Sequence, residues 1–350
     1  MSIRELRDKI QKAVKGIHVS VLSESDIADV NEWIITPAYD LNRIITGDLY
    51  RGVPQKSFTL IAGPEGSFKS SFICLCMAAA QKIGYTCIYF DTEGTKLDFF
   101  TRWGVNIDEM LYVYSPWVSE TMQALAQIKQ SNEKKYIIAV DSIGGYEREK
   151  FLTDALTSDG IKADQGRLQK DLKQMAKLLL NICRSQDSIV LSAGHFYGSP
   201  AMFAPAENLG GGKAFKYFPD IIISLKKSKI QGKDKEVTGN EISAITLKNR
   251  FHPPFVEGKI KIDYINGIDK FFGLADLAVD AGLVEKGGAG WYTYNEHKVQ
   301  GLDNLTKLFA EQESVLIPQL NEWIKRTGYS TVNTQIKQME EENVDDNRSG

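Results

Sequence analysis

Five short apolar runs punctuate the first two thirds of the chain: SFTLIAG (57–63), YTCIYFD (85–91), YIIAVDS (136–142), SIVLSAG (188–194) and DIIISLK (220–226). Each is continuous rather than alternating, as expected of strands covered on both faces. Between them apolar residues recur at helical spacing. Residues 70–82 form one such stretch; Val118, Met122, Leu125 and Ile128 mark a second, over 117–129. Leu168, Leu172, Met175, Leu179 and Ile182 mark a third, over 164–183. Strand–helix alternation of this kind predicts an α/β fold, a mostly parallel twisted sheet with helices on both faces. Two later runs, EISAITLKNR and GKIKIDYI, read as further strands, with antiparallel pairing left open. From Phe272 the texture changes to short helices and a GGAGWYTY turn-and-strand.

The two ends differ from this body. MSIRELRDKIQKAVKG places Ile3, Leu6, Ile10 and Val14 on one stripe of a polar amphipathic helix. It lacks the apolar core of a signal peptide, so a cytoplasmic chain is expected. The final stretch, MEEENVDDNRSG (339–350), sets five carboxylates against one arginine, a composition that favours disorder.

Composition changes little. At 350 residues, with 43% hydrophobic and 25% charged positions, the chain is that of an ordinary soluble protein with room for a large core. The longest apolar run, ICLCMAAA (73–80), is too short to cross a bilayer, which argues against a membrane partner. Cys74, Cys76, Cys87 and Cys183 show no zinc-type spacing and read as core thiols; Cys74 and Cys76, two apart, point to different faces of a helix. A net charge of −3 neither announces nor excludes nucleic acid, because a local patch decides that.

The chemistry gathers at GPEGSFKSS, Gly63 to Ser71. Gly63, Lys69 and Ser70 fall in register with a phosphate-binding loop, but Phe68 stands where a second glycine belongs. Strand, loop and helix follow in the required order. The loop Gly63-Pro64-Glu65-Gly66-Ser67-Phe68 and the helix start at Lys69, Ser70 and Ser71 would cradle the phosphates of ATP. Lys69 would meet the β/γ oxygens, and Ser70 would offer its hydroxyl to Mg²⁺. A glycine turn before a helix with an exposed lysine is the plainer alternative. Two strand ends oppose it: Asp141 after IIAVD, in the position of a carboxylate of the metal shell, and Asp91-x-Glu93 after IYFD. Ligands of open α/β sheets sit at the carboxyl ends of strands, so these acids are expected to converge on the loop. Glu93 is then the candidate to activate the attacking water, and ATP hydrolysis the expected reaction.

From about residue 36 to 295 the chain resembles the RecA-type recombinases, and most closely those of the phage UvsX branch. GPEGSFKSS is similar to the UvsX loop, in which a Ser-Phe-Lys-Ser run also replaces the glycine. FDTEG, AVDSIGG, ENLGGGKAFKYFPD and GLADLAVDAGLVEKGGAGWYTY resemble, in turn, the catalytic glutamate segment, the metal-shell strand, the end of the second DNA-binding loop and the segment after the core. The resemblance implies a γ-phosphate sensor at His195, an adenine-stacking aromatic at Phe99 and a pair of cations, Lys248 and Arg250, that reach a neighbouring subunit's ATP. A satisfied buried histidine, a core aromatic and a solvated strand face are the respective alternatives. Lys248 and Arg250, two apart on a strand, would share one face.

Two segments read as mobile loops at the sheet edge, 144–162 and 196–213; the second carries Phe196, Tyr197, Met202 and Phe203. Its length favours function or disorder over mere connection. Arg148, Lys150, Lys213 and Lys216 are candidate DNA contacts. The run Lys226, Lys227, Lys229, Lys233 and Lys235 reads as a solvated hairpin or a basic DNA surface. The implied organisation is a protomer-docking arm (1–35), a RecA-like ATPase and DNA-binding core (36–270), a small C-terminal region (271–338) and the acidic tail (339–350). The implied function is an ATP-dependent, filament-forming recombinase that pairs single-stranded DNA with homologous duplex. Its partners would be its own copies, with single-strand-binding and loader proteins possible, in the cytoplasm of a host cell if phage-encoded. A hexameric helicase with the same core, and an ATP-gated paralogue or scaffold without strand exchange, are the rival readings.

Overall fold

A computed structural model describes residues 1–15, 17–131, 133–149, 165–195, 213–232 and 234–328. Most of the two candidate DNA loops, with Lys150, Phe196, Tyr197, Met202 and Phe203, lies outside the described residues, as do Lys233 and the acidic tail.

The chain begins with α1 (Ile3–Ala13), closed at its start by a capping box between Ser2 and Glu5. After a linker come β1 (Trp33–Ile34), α2 (Tyr39–Thr46) and β2 (Val53–Pro54), and then β3 (Phe58–Ala62) and α3 (Lys69–Gln81). The alternation continues with β4 (Thr86–Asp91), α4 (Leu97–Arg102), β5 (Met110–Tyr114), α5 (Val118–Gln130) and β6 (Tyr136–Asp141). It closes with α6 (Gln165–Ser185), β7 (Ile189–Gly194), α7 (Lys213–Tyr217) and β8 (Ile221–Gln231). β9 (Val237–Lys248), β10 (Glu257–Asp263) and β11 (Gly267–Asp269) follow.

These strands build one nine-stranded sheet in the order β11-β10-β9-β8-β3-β7-β6-β4-β5. The stretch from β8 to β5 is parallel, and β9 to β11 are added antiparallel, as the sequence predicts. Period-2 alternation sorts the side chains into two cores. Cys87, Tyr89, Ile137 and Ala139 face α2 and α3, while Ile88, Phe90, Ile138 and Val140 face α5 and α6. Helix α3 is buried almost all round, so Cys74 and Cys76 enter the same core and not opposite environments. All four cysteines are free and buried.

The remaining elements, α8 (Leu274–Asp280), β12 (Glu285–Lys286), β13 (Trp291–Tyr294), β14 (His297–Gln300), α9 (Leu302–Glu311) and α10 (Glu313–Thr327), enclose a third core that Tyr39 and Leu49 join. Its seam to the sheet is polar: Tyr39 donates to Glu313 at 2.5 Å, and the Leu49 amide donates to Asn321 at 2.7 Å. Helix α1 stands apart. None of its residues is buried, and Ile3, Leu6, Ile10 and Val14 lie exposed along its apolar stripe. The linker behind it is pinned to the sheet, where Lys56 donates to the Asp26 and Asp29 carbonyls and Lys135 pairs with Glu32 at 2.6 Å. The stretch from Trp33 onward belongs to the core itself, since β1 pairs with β2 of the same chain and Ile34 is buried. Among the described residues no helix is long and apolar enough to cross a membrane.

Candidate active site

The loop between β3 and α3 folds as a phosphate cradle despite Phe68. A Cβ on Gly63 would lie 2.5 Å from both the Leu225 carbonyl and Ser67 Oγ, so the tight start of the loop requires glycine. Phe68 itself takes φ +82°, the left-handed conformation that a glycine normally supplies. That costs a residue with a Cβ about 1–2 kcal/mol. The ring offsets it: Phe68 is 8% exposed, and its edge-to-face contact with Trp103 has a centroid distance of 5.3 Å. The aromatic side chain is a peg behind the loop.

Lys69 opens α3, and its buried ammonium donates to the Gly63 and Pro64 carbonyls at 3.1 and 2.7 Å. Burial pulls its pKa below the usual lysine value, against the opposing pull of Asp141, Glu93 and Glu65. The Ser67 hydroxyl is buried without a partner inside the cradle, Ser71 is buried, and Pro64, Glu65 and Gly66 are exposed at its rim.

β4 and β6 are neighbours, and their register sets Asp91 opposite Asp141. Asp141 is 4% exposed and accepts from Tyr89 Oη at 2.5 Å, with the Ser70 hydroxyl beside it. Burial raises its pKa, and Ser70 and Tyr89 oppose the rise. A serine hydroxyl beside a carboxylate is an oxygen pair suited to a Mg²⁺ shell, so Ser70 and Asp141 fit the ion that ATP chemistry requires. Glu93 reaches the same edge from the loop after β4. Its Oε1 accepts from Ser142 Oγ at 2.8 Å and lies 3.7 Å from His195 Nε2, just past the end of β7. Lys69, Ser70, Glu93, Asp141 and His195 are thus brought to one edge.

Asp91 is a correction. Rather than converging on the cradle, it is fully buried and accepts the amides of Glu93, Gly94 and Thr95 together with Tyr112 Oη. It spends its acceptors on shaping the turn that carries Glu93.

Beside the cradle opens a cleft of about 620 Å³, within the ~300–1,000 Å³ of small-molecule sites. Phe99, Arg102 and Trp103 form one wall; Lys227, Tyr264 and Ile265 form the other. Phe99 is half-buried there, whereas Phe100 is sealed in the core against Tyr89. Sequence reasoning missed the Tyr264 wall, because only the order β3-β8-β9-β10 brings it beside the loop. It also missed Tyr89 and Ser142; both lie within two residues of an acid that was singled out, which is the signal that was available.

Lys248 and Arg250 do not share a strand face, a second correction. β9 ends at Lys248, and Arg250 lies beyond it, where Asn249 turns the chain by donating to the Ile45 carbonyl and accepting the Phe251 and His252 amides. The two cations nevertheless remain close. Burial, then the adjacent Arg250 charge, lowers the Lys248 pKa, with Asp220 opposing. Both sit away from the chain's own cradle. Arg250 bonds Asp220, which bonds the amide of Phe58 at the start of β3, while the cradle follows the end of that strand. Four residues of strand separate these ends, roughly 13 Å.

Among the candidate DNA contacts, Arg148 is paired with Asp171 at 3.0 Å, and Lys216 is half-buried on α7; the Lys213 side chain lies outside the described residues. Lys226, Lys227 and Lys229 are exposed on β8, but the pleat turns Lys226 away from the other two, so the run is not one patch. Lys235 sits in the hairpin turn that follows.

The family model of the RecA N-terminal domain matches residues 3–269. RecA of Rickettsia canadensis (strain McKiel) is 28% identical over 323 residues, covering 88% of this chain and 90% of its own. RecA of Thioalkalivibrio sulfidiphilus (strain HL-EbGR7) is 30% identical over 291 residues, covering 79% and 82%. A mitochondrial DNA repair protein, the recA homolog of Dictyostelium discoideum, is 27% identical over 299 residues, covering 84% of this chain and 64% of its own.

Proposed function

Because this chain belongs to the RecA family, we propose that it is a DNA-dependent ATPase and recombinase that assembles on single-stranded DNA and pairs it with homologous duplex. The observation that carries the reading is the gathering of Lys69, Ser70, Asp141, Glu93 and His195 on one sheet edge, with the Phe99 cleft beside it. In this reading the cradle from Gly63 to Ser71 holds the phosphates of ATP, Phe99 stacks on adenine, and Ser70 and Asp141 hold Mg²⁺, partly through water. The ion supplies charge neutralisation at the phosphates. Glu93 orients and deprotonates the attacking water, and His195 senses the γ-phosphate and links the site to the segment that follows it.

Lys248 and Arg250 lie too far from their own cradle to serve it, so they act on the ATP of the next protomer. Such a head-to-tail contact, if it does not close, builds a helical filament. The uncovered stripe of α1 supplies the other half of that contact as a docking arm ahead of the core, which takes over at Trp33, three residues before the 35/36 boundary read from sequence, and of the C-terminal region (271–338). The Ser-Phe-Lys-Ser loop supports, within this reading, a recombinase of the phage UvsX branch acting in a host cytoplasm, where single-strand-binding and loader proteins would be further partners.

Electron microscopy with single-stranded DNA and a slowly hydrolysed ATP analogue, followed by a homologous pairing assay, tests the proposal. Helical filaments and joint molecules are expected. Closed rings with unwinding of forked DNA would replace it with the helicase reading, and ATP turnover indifferent to DNA with the scaffold reading.

A further inference from the structure

Asp220 sits at the corner between α7 and β8 and is 1% exposed. A carboxylate so buried is costly unless its lone pairs are filled. Here they are: Oδ2 accepts the Phe58 amide at 3.0 Å, Arg184 Nη2 spans both oxygens at 2.7 and 2.8 Å, and Arg250 Nη1 reaches Oδ1 at 3.2 Å. The two guanidinium groups are not equivalent. Arg184 is the close partner, with a side chain 28% exposed, and Arg250 is the looser one, at 59%. One carboxylate between two guanidinium groups leaves a net charge of about +1, and the exposed arginine is the one free to spend it. Only one N–H of Arg250 is bound to Asp220, which leaves the rest of its five-donor fork for another acceptor.

The corner also holds the second cation, since Lys248 Nζ donates to the Tyr217 carbonyl at 2.7 Å, three residues before Asp220. Backbone and side chain are therefore fixed separately: Asn249 anchors the turn on α2, and the 217–220 corner anchors the cationic heads.

We propose that Asp220 is the positioning residue of the trans site: it holds the Arg250 guanidinium aimed outward at the polyphosphate of a neighbouring copy's ATP, while Arg184 neutralises the carboxylate so that the Arg250 charge stays available. The inference rests on the reading that Lys248 and Arg250 act between protomers, and the experiment separates the two. Full-length Asp220→Asn, Arg184→Gln, Arg250→Ala and Glu93→Gln proteins are assayed for single-stranded-DNA-stimulated ATP turnover and for binding of a fluorescent ATP analogue.

Asp220→Asn is expected to lower turnover about 10–100-fold, the cost of a misplaced catalytic group, with analogue binding within about twofold of the parent. Mixing it with Glu93→Gln chains is expected to raise turnover above the sum of the two alone, because the Asp220→Asn cradles that face a Glu93→Gln neighbour then meet an intact Arg250. A fold defect would not be rescued in this way. Arg184→Gln, which leaves Asp220 in place, is expected to show the same loss and the same rescue. Parental turnover in Asp220→Asn beside an inactive Arg250→Ala would overturn the positioning role and leave the trans reading standing. Parental turnover in Arg250→Ala would overturn the trans reading itself. Loss without rescue in both Asp220→Asn and Arg184→Gln would reduce the corner to a structural ion pair.

Discussion

The two edges of the sheet were built by opposite means, one presenting the acids Glu93 and Asp141 and the other the exposed cation Arg250. At the carboxyl ends of β4, β6 and β7, Glu93, Asp141 and His195 arrive at the cradle on short connections: Asp141 ends its strand, and His195 and Glu93 lie one and two residues past theirs. At the other edge Lys56 meets Asp187 and Arg250 meets Asp220, each pair joining distant parts of the chain through the crossovers of the sheet. The first edge is local chemistry repeated strand by strand. The second is an interaction of topology, in which no single segment holds the whole feature. In the proposed reading the two edges complete each other, the cations of one copy reaching the cradle of the next.

The largest effect expected from breaking this comparison is at the acidic edge. Lys69→Ala should abolish ATP turnover, and Glu93→Gln should lower it about 10²–10⁴-fold while analogue binding persists; a steady-state phosphate-release assay with a binding titration checks both. At the cationic edge Lys248→Ala should cost on the order of 10²-fold or more, by the worth of a trans cation on a transferring phosphoryl group. Dilution sharpens the contrast: ATP binding by Lys248→Ala should match the parent at concentrations where chains are separate, and differ only on DNA.

Phe68 gives a smaller, two-sided effect. Phe68→Gly releases about 1–2 kcal/mol of left-handed strain but loses a buried ring worth about 3–5 kcal/mol. A net destabilisation of roughly 2 kcal/mol is expected in denaturant melts, and a double-mutant cycle with Trp103→Ala should recover about 0.5–1.5 kcal/mol of coupling. Stabilisation by Phe68→Gly would mean that the ring does not hold the loop.

The smallest effect lies at Asp187 beneath the sheet. Burial pushes its carboxyl up, but bonds from Lys134 and Lys56 win and hold it below the usual range. A depressed folded pKa contributes stability that is full above the unfolded value of about 3.9 and is lost as pH falls through the folded one. Asp187→Asn should therefore melt lower than the parent at pH 6, by roughly 1 kcal/mol or less, and the difference should close below about pH 4. A gap that persists at pH 2 would assign the effect to shape rather than charge.

How much of this could be read in the sequence follows from the same contrast. Continuous apolar runs revealed the parallel strands, because a strand buried on both faces leaves no alternation to misread, and the acids ending those runs marked the active edge. What failed was the assignment of acceptors. Asp91 and Asp141 end their strands alike, yet one is consumed by the amides of Glu93, Gly94 and Thr95 while the other keeps Ser70. Only the direction of the following turn separates them. Arg250 was placed on a strand because its spacing from Lys248 fits one; Asn249, whose side chain ends that strand, sits between them and looks unremarkable in sequence. The Tyr264 wall and Asp220 carry no local signal at all.

The contact between Phe68 and Trp103 has a use beyond stability. Of the five tryptophans, Trp103 is the one that lies against the ring behind the cradle and also lines the cleft beside it. The molecule thus carries an optical gauge beside its own loop. Indole emission from a chain keeping only Trp103 would report, without any attached dye, each displacement of the loop as nucleotide arrives and leaves.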